Sequence, residues 1–253
     1  MSVQRSLVAA YACRCGGSRL YGKPMQNLAL GITVLDSLVR GTLFQKCIDE
    51  IVLGIAEGDE NLVFKAVAAA YDIPYIVGDE HDVLGRLIQC ADKVRATDIF
   101  RVTSECPFVA WECVDAAWQQ HLVEQNDITV IDHTPSGTVF EIYTVQAMKK
   151  SHEKGGQRER SEYCSLYAME HAEEFKIGVY QPEEILRRVD YRLTVDYPED
   201  LILCREIFAS LSNGRDQIPL VEIIKFLDEN PELHNLVEKY HEAGPYWTPV
   251  LKR

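Results

Sequence analysis

Short apolar runs alternate with amphipathic segments along the first half of the chain, and this alternation restricts the folds that the chain can adopt. The runs at residues 7–12, 51–55 and 99–102 are almost continuously apolar, which is typical of strands buried on both faces. Between them, residues 33–43 and 82–94 carry apolar side chains at helical spacing. Strands that alternate with helices predict an α/β fold with a mostly parallel sheet flanked by helices.

The second half of the chain follows this pattern less regularly. Further strands are predicted at residues 74–77, 128–131, 140–143, 175–180 and 191–195. Further helices are predicted at residues 61–71, 111–124, 144–154, 159–173, 198–211, 220–229 and 231–240. We expect Asn61 to cap the helix that it begins, since an Asn side chain can accept a hydrogen bond from the first turn.

Size and charge exclude several classes of protein. A chain of 253 residues, of which 47% are hydrophobic, can bury a substantial core. The net charge of -13 disfavours a nucleic-acid partner, because non-specific binding to nucleic acid needs many cations. Every apolar run is shorter than the roughly 18 residues of a membrane span, and no signal peptide is recognisable. We therefore expect a cytoplasmic protein without a membrane partner.

The eight cysteines of the chain are scattered and form no C-x-x-C pair. Zinc ribbons and disulfide frameworks both need cysteines at characteristic spacings. Neither kind of site is predicted.

A loop after the first predicted strand concentrates positive charge in this acidic chain. Its cations and glycines are Arg14, Arg19, Lys23, Gly16, Gly17 and Gly22. Glycine lets backbone N–H groups approach an anion closely, while Arg provides a planar fork of donors and Lys a mobile charge. The loop predicts a phosphate site, with a solvated surface loop as the alternative.

Residues 17–23 also match the G-x-x-x-x-G-K spacing of a P-loop. Pro24 stands where a P-loop needs a hydroxyl group for Mg²⁺. The bulky Arg19 and Tyr21 would crowd a loop that must wrap phosphate with bare backbone. A P-loop is therefore not predicted.

Two carboxylates follow later strands of the predicted sheet. Glu105 comes shortly after residues 99–102, and Asp196 directly follows residues 191–195. Ligands of open α/β sheets bind beyond the carboxyl ends of the strands, and Mg²⁺ is held by one or two carboxylates together with phosphate oxygens. The pair predicts a Mg²⁺ site opposite the cationic loop. Two alternatives stay open, namely that Asp196 caps the next helix and that Glu105 is an ordinary loop residue.

Five motifs, taken together, resemble a known family. They are Arg14-x-Gly16-x-x-Arg19-Leu20-x-Gly22-Lys23, Asp82-Val83-Leu84-x-Arg86, Arg101-Val102-Thr103-x-x-Cys106-Pro107, Glu162 with Tyr167, and Arg192-Leu193-Thr194-Val195-Asp196-Tyr197-Pro198-Glu199-Asp200-Leu201. The chain resembles, over nearly its whole length, the cytidylyltransferases of spore-coat polysaccharide biosynthesis. These enzymes are related to the CMP-KDO and CMP-sialic acid synthetases.

The resemblance implies a fold, a reaction and partners. The fold would be a single Rossmann-like nucleotidyltransferase domain over residues 1–253, with an irregular segment at about residues 132–180 for acceptor and homodimer contacts. The enzyme would use Mg²⁺ to transfer CMP from CTP to a small anionic acceptor, either a sugar acid or a phosphorylated or phosphonate compound, and would release pyrophosphate. The alternatives are transfer from another nucleoside triphosphate to a sugar phosphate, and nucleotide binding without catalysis.

The resemblance also implies roles for individual residues. Catalysis would involve Arg14, Lys23 and Asp196, and the metal ligands would be Glu105 and Asp196. Nucleotide binding would involve Arg14, Gly16, Gly17, Arg19, Lys23, Asp82, Arg86 and Thr103. Acceptor binding would involve Glu141, Glu162 and Tyr163.

Several of these assignments have competing interpretations or departures from the family pattern. Asp82 and Arg86 are one helical turn apart, so they could form an intrahelical ion pair instead of contacting the nucleotide. Tyr163 and Tyr167 could simply be core residues. Family members usually carry Asp where this chain has Glu105, and an Arg and a His usually flank the position of Glu162. The acceptor is therefore left open.

Overall fold

The computed structural model describes residues 5–241, Trp247 and Leu251. The strands are Leu7–Cys13 (β1), Asn27–Ala29 (β2), Ile32–Thr33 (β3), Glu50–Ala56 (β4), Tyr75–Gly78 (β5), Asp98–Arg101 (β6), Ile128–Ile131 (β7), Glu141–Thr144 (β8) and Ile177–Tyr180 (β9). The helices are Val34–Leu43 (α1), Val63–Ala70 (α2), Val83–Val94 (α3), Val114–Glu124 (α4), Val145–Lys154 (α5), Gln157–Arg160 (α6), Leu166–Glu170 (α7), Pro198–Leu211 (α8), Leu220–Glu229 (α9) and Pro231–Asn235 (α10).

Seven strands form one sheet in the order β5-β4-β1-β6-β8-β7-β9, while β2 and β3 form a separate hairpin. β1 pairs in parallel with β4 and β6, and β8 runs antiparallel to β6 and β7. The prediction of a mostly parallel sheet flanked by helices is confirmed. The chain adds β4 and β5 on one side of β1 and then crosses to β6 on the other. The carboxyl ends of β1 and β6 therefore border the crevice where α/β folds bind ligands.

Both faces of the sheet are covered by apolar side chains. Alternate residues of a strand point to opposite faces. Leu7 and Tyr11 of β1 belong to the core cluster that includes α1 and α8, whereas Val8 and Ala10 belong to the cluster that includes α3 and α5. This two-sided burial explains why β1 is a continuous apolar run.

The helices α1 and α3 begin at side chains that satisfy free backbone N–H groups. Thr33 Oγ1 accepts a hydrogen bond from Asp36 N at 3.1 Å, and Asp36 Oδ2 accepts one from Thr33 N at 2.8 Å. Asp82 Oδ1 accepts one from Gly85 N at 2.8 Å. These local caps fix where the two helices start relative to the sheet. In the described part of the chain, no helix combines the length and the apolar character that crossing a bilayer requires.

The predicted strand at residues 191–195 is wrong. Arg192 makes one isolated bridge to Ser136, and the segment otherwise has no regular sheet pairing. Leu193 and Val195 are nevertheless fully buried in the core. Core burial alone therefore produced an apolar pattern that resembles a strand.

The predicted helix at residues 159–173 is also wrong, because the chain turns between α6 and α7. Ser161 Oγ donates a hydrogen bond to Arg158 O at 2.6 Å, and Cys164 Sγ donates one to Ser161 O at 3.2 Å. Such bonds from side chain to backbone compete with helix continuation.

A buried ion cluster lies at the amino end of β6. Asp98 is fully buried and accepts hydrogen bonds from Arg5 and Thr97, and His121 Nε2 lies 3.1 Å from its Oδ1. Burial opposes ionisation of this carboxyl group, but the hydrogen bonds from His121, Arg5 and Thr97 outweigh it and lower the pKa of Asp98. The ionised carboxylate thus links Arg5 to β6 and to His121 of α4.

We expect Asp98→Asn to lower the free energy of unfolding by roughly 3 kcal/mol at pH 7, because the half-buried guanidinium of Arg5 loses the fully buried carboxylate that pairs with it. A carboxyl group whose pKa is lower in the folded state stabilises the protein above its unfolded pKa, and this stabilisation is lost as pH falls through the folded pKa. The difference between the two proteins should therefore shrink below about pH 4. Urea unfolding at several pH values measures it. Asp92→Asn is the control, because it removes an exposed pair with Lys149. An equal loss in both variants would contradict the prediction.

Candidate active site

The loop that follows β1 folds back on itself at the crevice. Gly22 N donates a hydrogen bond to Cys15 O at 2.8 Å, and Gly22 has a φ of 59°, which favours glycine. A Cβ atom on Gly17 would lie 2.6 Å from Leu20 O, so the turn excludes any side chain there. A short 3-10 helix, Lys23–Met25, ends the loop. The loop is therefore held tightly at its backbone while its cationic side chains extend.

Asn61 fixes the start of this loop. Its Oδ1 accepts a hydrogen bond from Cys15 N at 2.7 Å, and its Nδ2 donates one to Glu57 O at 3.0 Å. The prediction that Asn61 caps a helix is wrong, since the residue that precedes α2 is Leu62. The Asn61 side chain thus binds the backbone of Cys15, 46 residues away in the chain, instead of capping a helix.

Asp196 meets the cations of the crevice. Lys23 Nζ lies 2.6 Å from Asp196 Oδ1, and Arg19 Nη2 lies 4.0 Å from the same oxygen. Arg192 Nη2 donates to Asp196 Oδ2 at 2.9 Å. Burial opposes ionisation of Asp196, but the hydrogen bonds from Lys23 and Arg192 outweigh it and lower its pKa. Asp196 is therefore a half-buried carboxylate held in its ionised form.

The helix-cap interpretation of Asp196 is wrong, because Asp200 satisfies the start of α8. Asp200 Oδ2 accepts hydrogen bonds from Asp196 N and Tyr197 N, both at 2.9 Å. Asp200 also binds the Arg192 guanidinium at 2.8 Å. The side chain of Asp196 is consequently free of capping and faces Lys23.

Glu105 lies beside Asp196. Val195 N donates a hydrogen bond to Glu105 O at 3.1 Å, which joins the segment after β6 to the segment before α8. Burial raises the pKa of Glu105, Lys23 opposes this rise, and the negative charge of Asp196 adds to it. The charges of Lys23 and Asp196 thus both act on Glu105.

The donor set of this crevice fits Mg²⁺. Carboxylate oxygens are the hard ligands that Mg²⁺ prefers, and this ion usually keeps several waters and binds substrate phosphates as well. Glu105 and Asp196 supply two such groups. Among the residues that the structure describes, no cluster of three or more acidic, His or Cys side chains forms a closed metal site. Two carboxylates that leave positions open for phosphate are what a nucleotide-bound Mg²⁺ requires.

Arg86 is buried beneath the same crevice. Its guanidinium donates hydrogen bonds to Gly54 O at 2.7 Å, Cys13 O at 3.2 Å and Glu80 O at 3.4 Å. Burial lowers its pKa, and the neighbouring charge of Arg14 lowers it further. Arg86 therefore joins the ends of β1 and β4 to the loop after β5, and it adds positive potential to the crevice floor.

The alternative of an intrahelical ion pair between Asp82 and Arg86 is wrong. The second oxygen of Asp82 lies 2.7 Å from His152 Nε2 on α5, while the first caps α3. Asp82 does not line the crevice, whereas Arg86 does. The sequence therefore identified the helix that borders the site, but Asp82 has a capping and interhelical contact in the structure.

We expect Arg86→Lys to lower the free energy of unfolding by roughly 2–4 kcal/mol, because one ammonium group cannot bond all three carbonyl oxygens that the guanidinium reaches. Urea unfolding measures the loss. The control is Arg95→Lys at the exposed end of the same helix, which should change stability by less than about 0.5 kcal/mol. Equal stability of Arg86→Lys and the parent protein would show that these three hydrogen bonds do not stabilise the fold.

The crevice is a cavity of about 210 Å³. Most residues to which nucleotide or metal binding was assigned line it, namely Arg14, Gly16, Gly17, Arg19, Lys23, Arg86, Thr103 and Glu105. Asp196 reaches it through its contact with Lys23. The cationic loop and the two carboxylates therefore come together from three distant parts of the chain.

A larger cavity of about 930 Å³ adjoins the first. The two cavities share Arg101 and Glu162 as lining residues. Glu162 lies 2.9 Å from the Arg14 guanidinium. The three residues to which acceptor binding was assigned, Glu141, Glu162 and Tyr163, all line the larger cavity.

Tyr163 and Tyr167 differ in burial. Tyr163 is 60% exposed, which excludes a core position for it. Tyr167 is buried, stacks on His171 and donates a hydrogen bond to Glu174 Oε1 at 3.1 Å, as a core residue would. The two alternatives that the sequence left open thus apply to different residues.

Sequence reasoning assigned no role to two arginines of the site, although each begins one of the family motifs. Arg101 ends β6 and lies 3.0 Å from Glu141, and Arg192 holds Asp196 and Asp200. Arg101 could have been found from its position at the carboxyl end of a strand, and Arg192 from its spacing of four residues from Asp196. Neither signal is specific without the tertiary contacts.

Comparison of the sequence with known families gives a match over most of the chain. Residues 12–239 match a family described as cytidylyltransferase. The spore coat polysaccharide biosynthesis protein SpsF of Bacillus subtilis is 26% identical over 224 residues, which cover 87% of this chain and 92% of that protein. An uncharacterized protein of Methanocaldococcus jannaschii is 24% identical over 232 residues, or 91% of this chain and 93% of that protein.

Comparison of the structure with solved structures identifies proteins of the same fold. A cytidylyltransferase from Leptospira borgpetersenii has a TM-score of 0.80 at 21% identity, with 90% of this chain and 95% of that chain covered. A CMP:2-keto-3-deoxy-manno-octonic acid synthetase complexed with CTP has a TM-score of 0.62 at 14% identity, with 81% and 99% covered. At these identities the likeness establishes the fold.

Proposed function

The chain belongs to the cytidylyltransferase family, and on that premise we propose that it transfers CMP from CTP to a small acceptor bearing an anionic group, with Mg²⁺ as cofactor and pyrophosphate as second product. Membership confirms the resemblance that the sequence motifs indicated, and it makes the chain a nucleotidyltransferase. The similarity to SpsF supports a role in the synthesis of a surface polysaccharide.

One observation carries the proposal. Three cations of the loop after β1, Arg14, Arg19 and Lys23, line the same crevice as Glu105. Lys23 and Arg19 also lie 2.6 Å and 4.0 Å from Asp196. The cations suit the negative charge of a triphosphate, and Glu105 and Asp196 would hold a divalent metal ion that offsets more of this charge. An uncharged ligand would not require such a cluster of cations and carboxylates.

In the proposed reaction, an oxygen atom of the acceptor attacks the α-phosphorus of CTP. A new P–O bond forms to the acceptor, and the bond between the α-phosphorus and the oxygen that bridges to the β-phosphate breaks. The electron pair leaves with pyrophosphate, and a hydroxyl acceptor releases its proton to solvent. A phosphate or phosphonate acceptor already has an ionised oxygen and needs no base.

The residues of the crevice act mainly by position and charge. Arg14, Arg19 and Lys23 stabilise the negative charge that grows on the leaving pyrophosphate. The buried charge of Arg86 keeps the floor of the crevice positive. Mg²⁺, which Glu105 and Asp196 would hold, supplies positive charge to the phosphate oxygens. In phosphoryl-type transfer such charge stabilisation and positioning provide most of the catalysis.

The neighbouring cavity gives the acceptor a place beside the triphosphate. Because the two cavities meet at Arg101 and Glu162, an acceptor in the larger one could present its oxygen to a nucleotide in the smaller one. A volume of about 930 Å³ is enough for a monosaccharide derivative.

Pyrophosphate release tests the proposal. The full chain is incubated with Mg²⁺, each of the four nucleoside triphosphates in turn, and a panel of sugar acids, sugar phosphates and phosphonates. We expect release with CTP and at least one acceptor, and none after chelation of the metal with EDTA. Release with GTP or UTP alone would indicate another nucleotidyltransferase, and nucleotide binding without turnover by any pair would indicate a non-catalytic relative.

A further inference from the structure

The larger cavity is lined by far more negative than positive charge. Its five carboxylates are those of Asp132, Glu141, Glu162, Glu170 and Glu173. Among the lining residues that the structure describes, Arg101 is the single cation, and one of its donors already bonds Glu141 at 3.0 Å. Two cations outside the lining compensate part of this charge, because Arg14 lies 2.9 Å from Glu162 and Arg158 lies 3.4 Å from Glu170. The five carboxylates still outnumber these arginines and Arg101, which disfavours an acceptor with only negative charge.

Thr134 provides a second, independent observation. Its side chain lines the cavity and is 1% exposed, and its Oγ1 has no hydrogen-bond partner within the described residues. A buried hydroxyl group without a partner costs free energy. The hydroxyl can both donate and accept, so it is suited to bind a polar group of a ligand, including an N–H donor.

Aromatic side chains complete the lining. Tyr163 and Trp247 both face this cavity, and Trp247 Nε1 donates a hydrogen bond to Glu141 Oε1 at 3.1 Å. Aromatic faces attract ammonium groups through cation–π interactions. Carboxylates combined with aromatic rings are typical of a site for an organic cation.

Positive and negative charges also lie in different parts of the two cavities. The end that adjoins the nucleotide crevice carries the guanidinium groups of Arg14 and Arg101. Glu170 and Glu173 line the larger cavity only, and both are exposed carboxylates. A ligand that spans the two parts would meet positive charge at its reacting end and negative charge farther away.

We infer that the acceptor is a zwitterion, with an anionic or hydroxyl oxygen that attacks CTP and an ammonium group that lies in the acidic part of the larger cavity. This inference rests on the proposed function and names the class of its acceptor. Carboxylates attract an ammonium group and repel an anionic group at the same place. The expected preference is therefore for acceptors that carry a cationic nitrogen.

Matched acceptor pairs test the inference. Each pair consists of an ammonium compound and an analogue without the cationic nitrogen: 2-aminoethylphosphonate and propylphosphonate, choline phosphate and 3,3-dimethylbutyl phosphate, and glucosamine 6-phosphate and glucose 6-phosphate. With CTP and Mg²⁺, we expect kcat/KM for the ammonium member of at least one pair to be about ten-fold higher or more. Equal or better turnover of the analogues would overturn the inference.

A measurement of acceptor binding tests this inference independently of the proposed reaction. Saturation-transfer NMR of the same pairs in the presence of CMP detects acceptor binding without turnover. Preferential binding of the ammonium members without pyrophosphate release would uphold the inference and contradict the proposed reaction. Pyrophosphate release with the analogues alone would uphold the proposed reaction and contradict the inference. Binding of no compound in the panel, or equal binding within every pair, would overturn the inference.

Two exposed carboxylates allow a direct test of the charge. We expect the double variant Glu170→Gln, Glu173→Gln to bring the ratio of kcat/KM within a pair close to one, while the ammonium-free member changes little. Glu206→Gln on α8 removes an exposed carboxylate outside the cavity and should leave the ratio unchanged. Thr134→Val should weaken binding of the preferred acceptor. An unaltered ratio in the double variant and unaltered binding in Thr134→Val would overturn the inference.

Discussion

Asp196→Asn should lower kcat by about three orders of magnitude while the protein remains folded. The substitution removes the negative charge that meets Lys23 at 2.6 Å and that would hold the metal. It leaves the start of α8 intact, because Asp200 and not Asp196 satisfies the backbone there and also binds Arg192. Steady-state pyrophosphate release gives kcat, and circular dichroism with urea unfolding verifies the fold.

A neighbouring carboxylate supplies the control for this variant. Glu199 lies on the first turn of α8 and pairs with Lys239 at the surface. Glu199→Gln should keep kcat within about two-fold, because exposed pairs contribute little. A kcat near that of the parent protein in Asp196→Asn would remove Asp196 from the catalytic machinery and with it the proposed metal site.

Lys23→Ala should lower kcat/KM by about two to three orders of magnitude, the effect typical of removing one preorganised charge from a transition state. In the structure Lys23 bonds Asp196 and lines the crevice. In the proposed complex with CTP, the ammonium group exchanges this carboxylate for phosphate oxygens. The loss should fall mainly on kcat if Lys23 acts on the leaving pyrophosphate, and mainly on KM if it only binds CTP.

Two further variants serve as controls for Lys23→Ala. Lys23→Arg keeps the positive charge and should recover part of the activity, although the guanidinium has a different shape. Lys93→Ala removes an exposed cation from α3 and should leave kcat/KM unchanged within about two-fold. If Lys23→Ala retained the activity of Lys93→Ala, the cationic loop would have no role in catalysis.

Local patterns were sufficient to predict most of the architecture. The apolar runs that became β1, β4 and β6 are buried on both faces, so the sequence itself records their environment. Burial also misled, because Leu193 and Val195 are as buried as strand residues although their segment makes only one bridge. Periodicity reports burial and not hydrogen-bond partners, which is why this segment was predicted incorrectly.

The candidate site was predictable in part. The cationic loop was recognisable because its glycines and cations are contiguous, and the carboxylates because each follows a strand-like run. The partners of these side chains were not predictable. Asp82 contacts His152, which is 70 residues away, and Arg101 neutralises Glu141 across two strands. Such contacts depend on how helices and strands pack, and no local spacing encodes them.

The sequence by itself determined that this protein has an α/β fold and carries the motifs of a nucleotidyltransferase, including a basic glycine-rich loop, because burial periodicity and contiguous motifs are properties of neighbouring residues. Only the tertiary structure decided that Asp200 caps α8 while Asp196 faces Lys23, which lies 173 residues away in the chain. It alone also revealed that the larger cavity beside the crevice is lined by five carboxylates, since these come from separate segments. The physical reason is that charge and hydrogen-bond partners at a site are set by long-range packing.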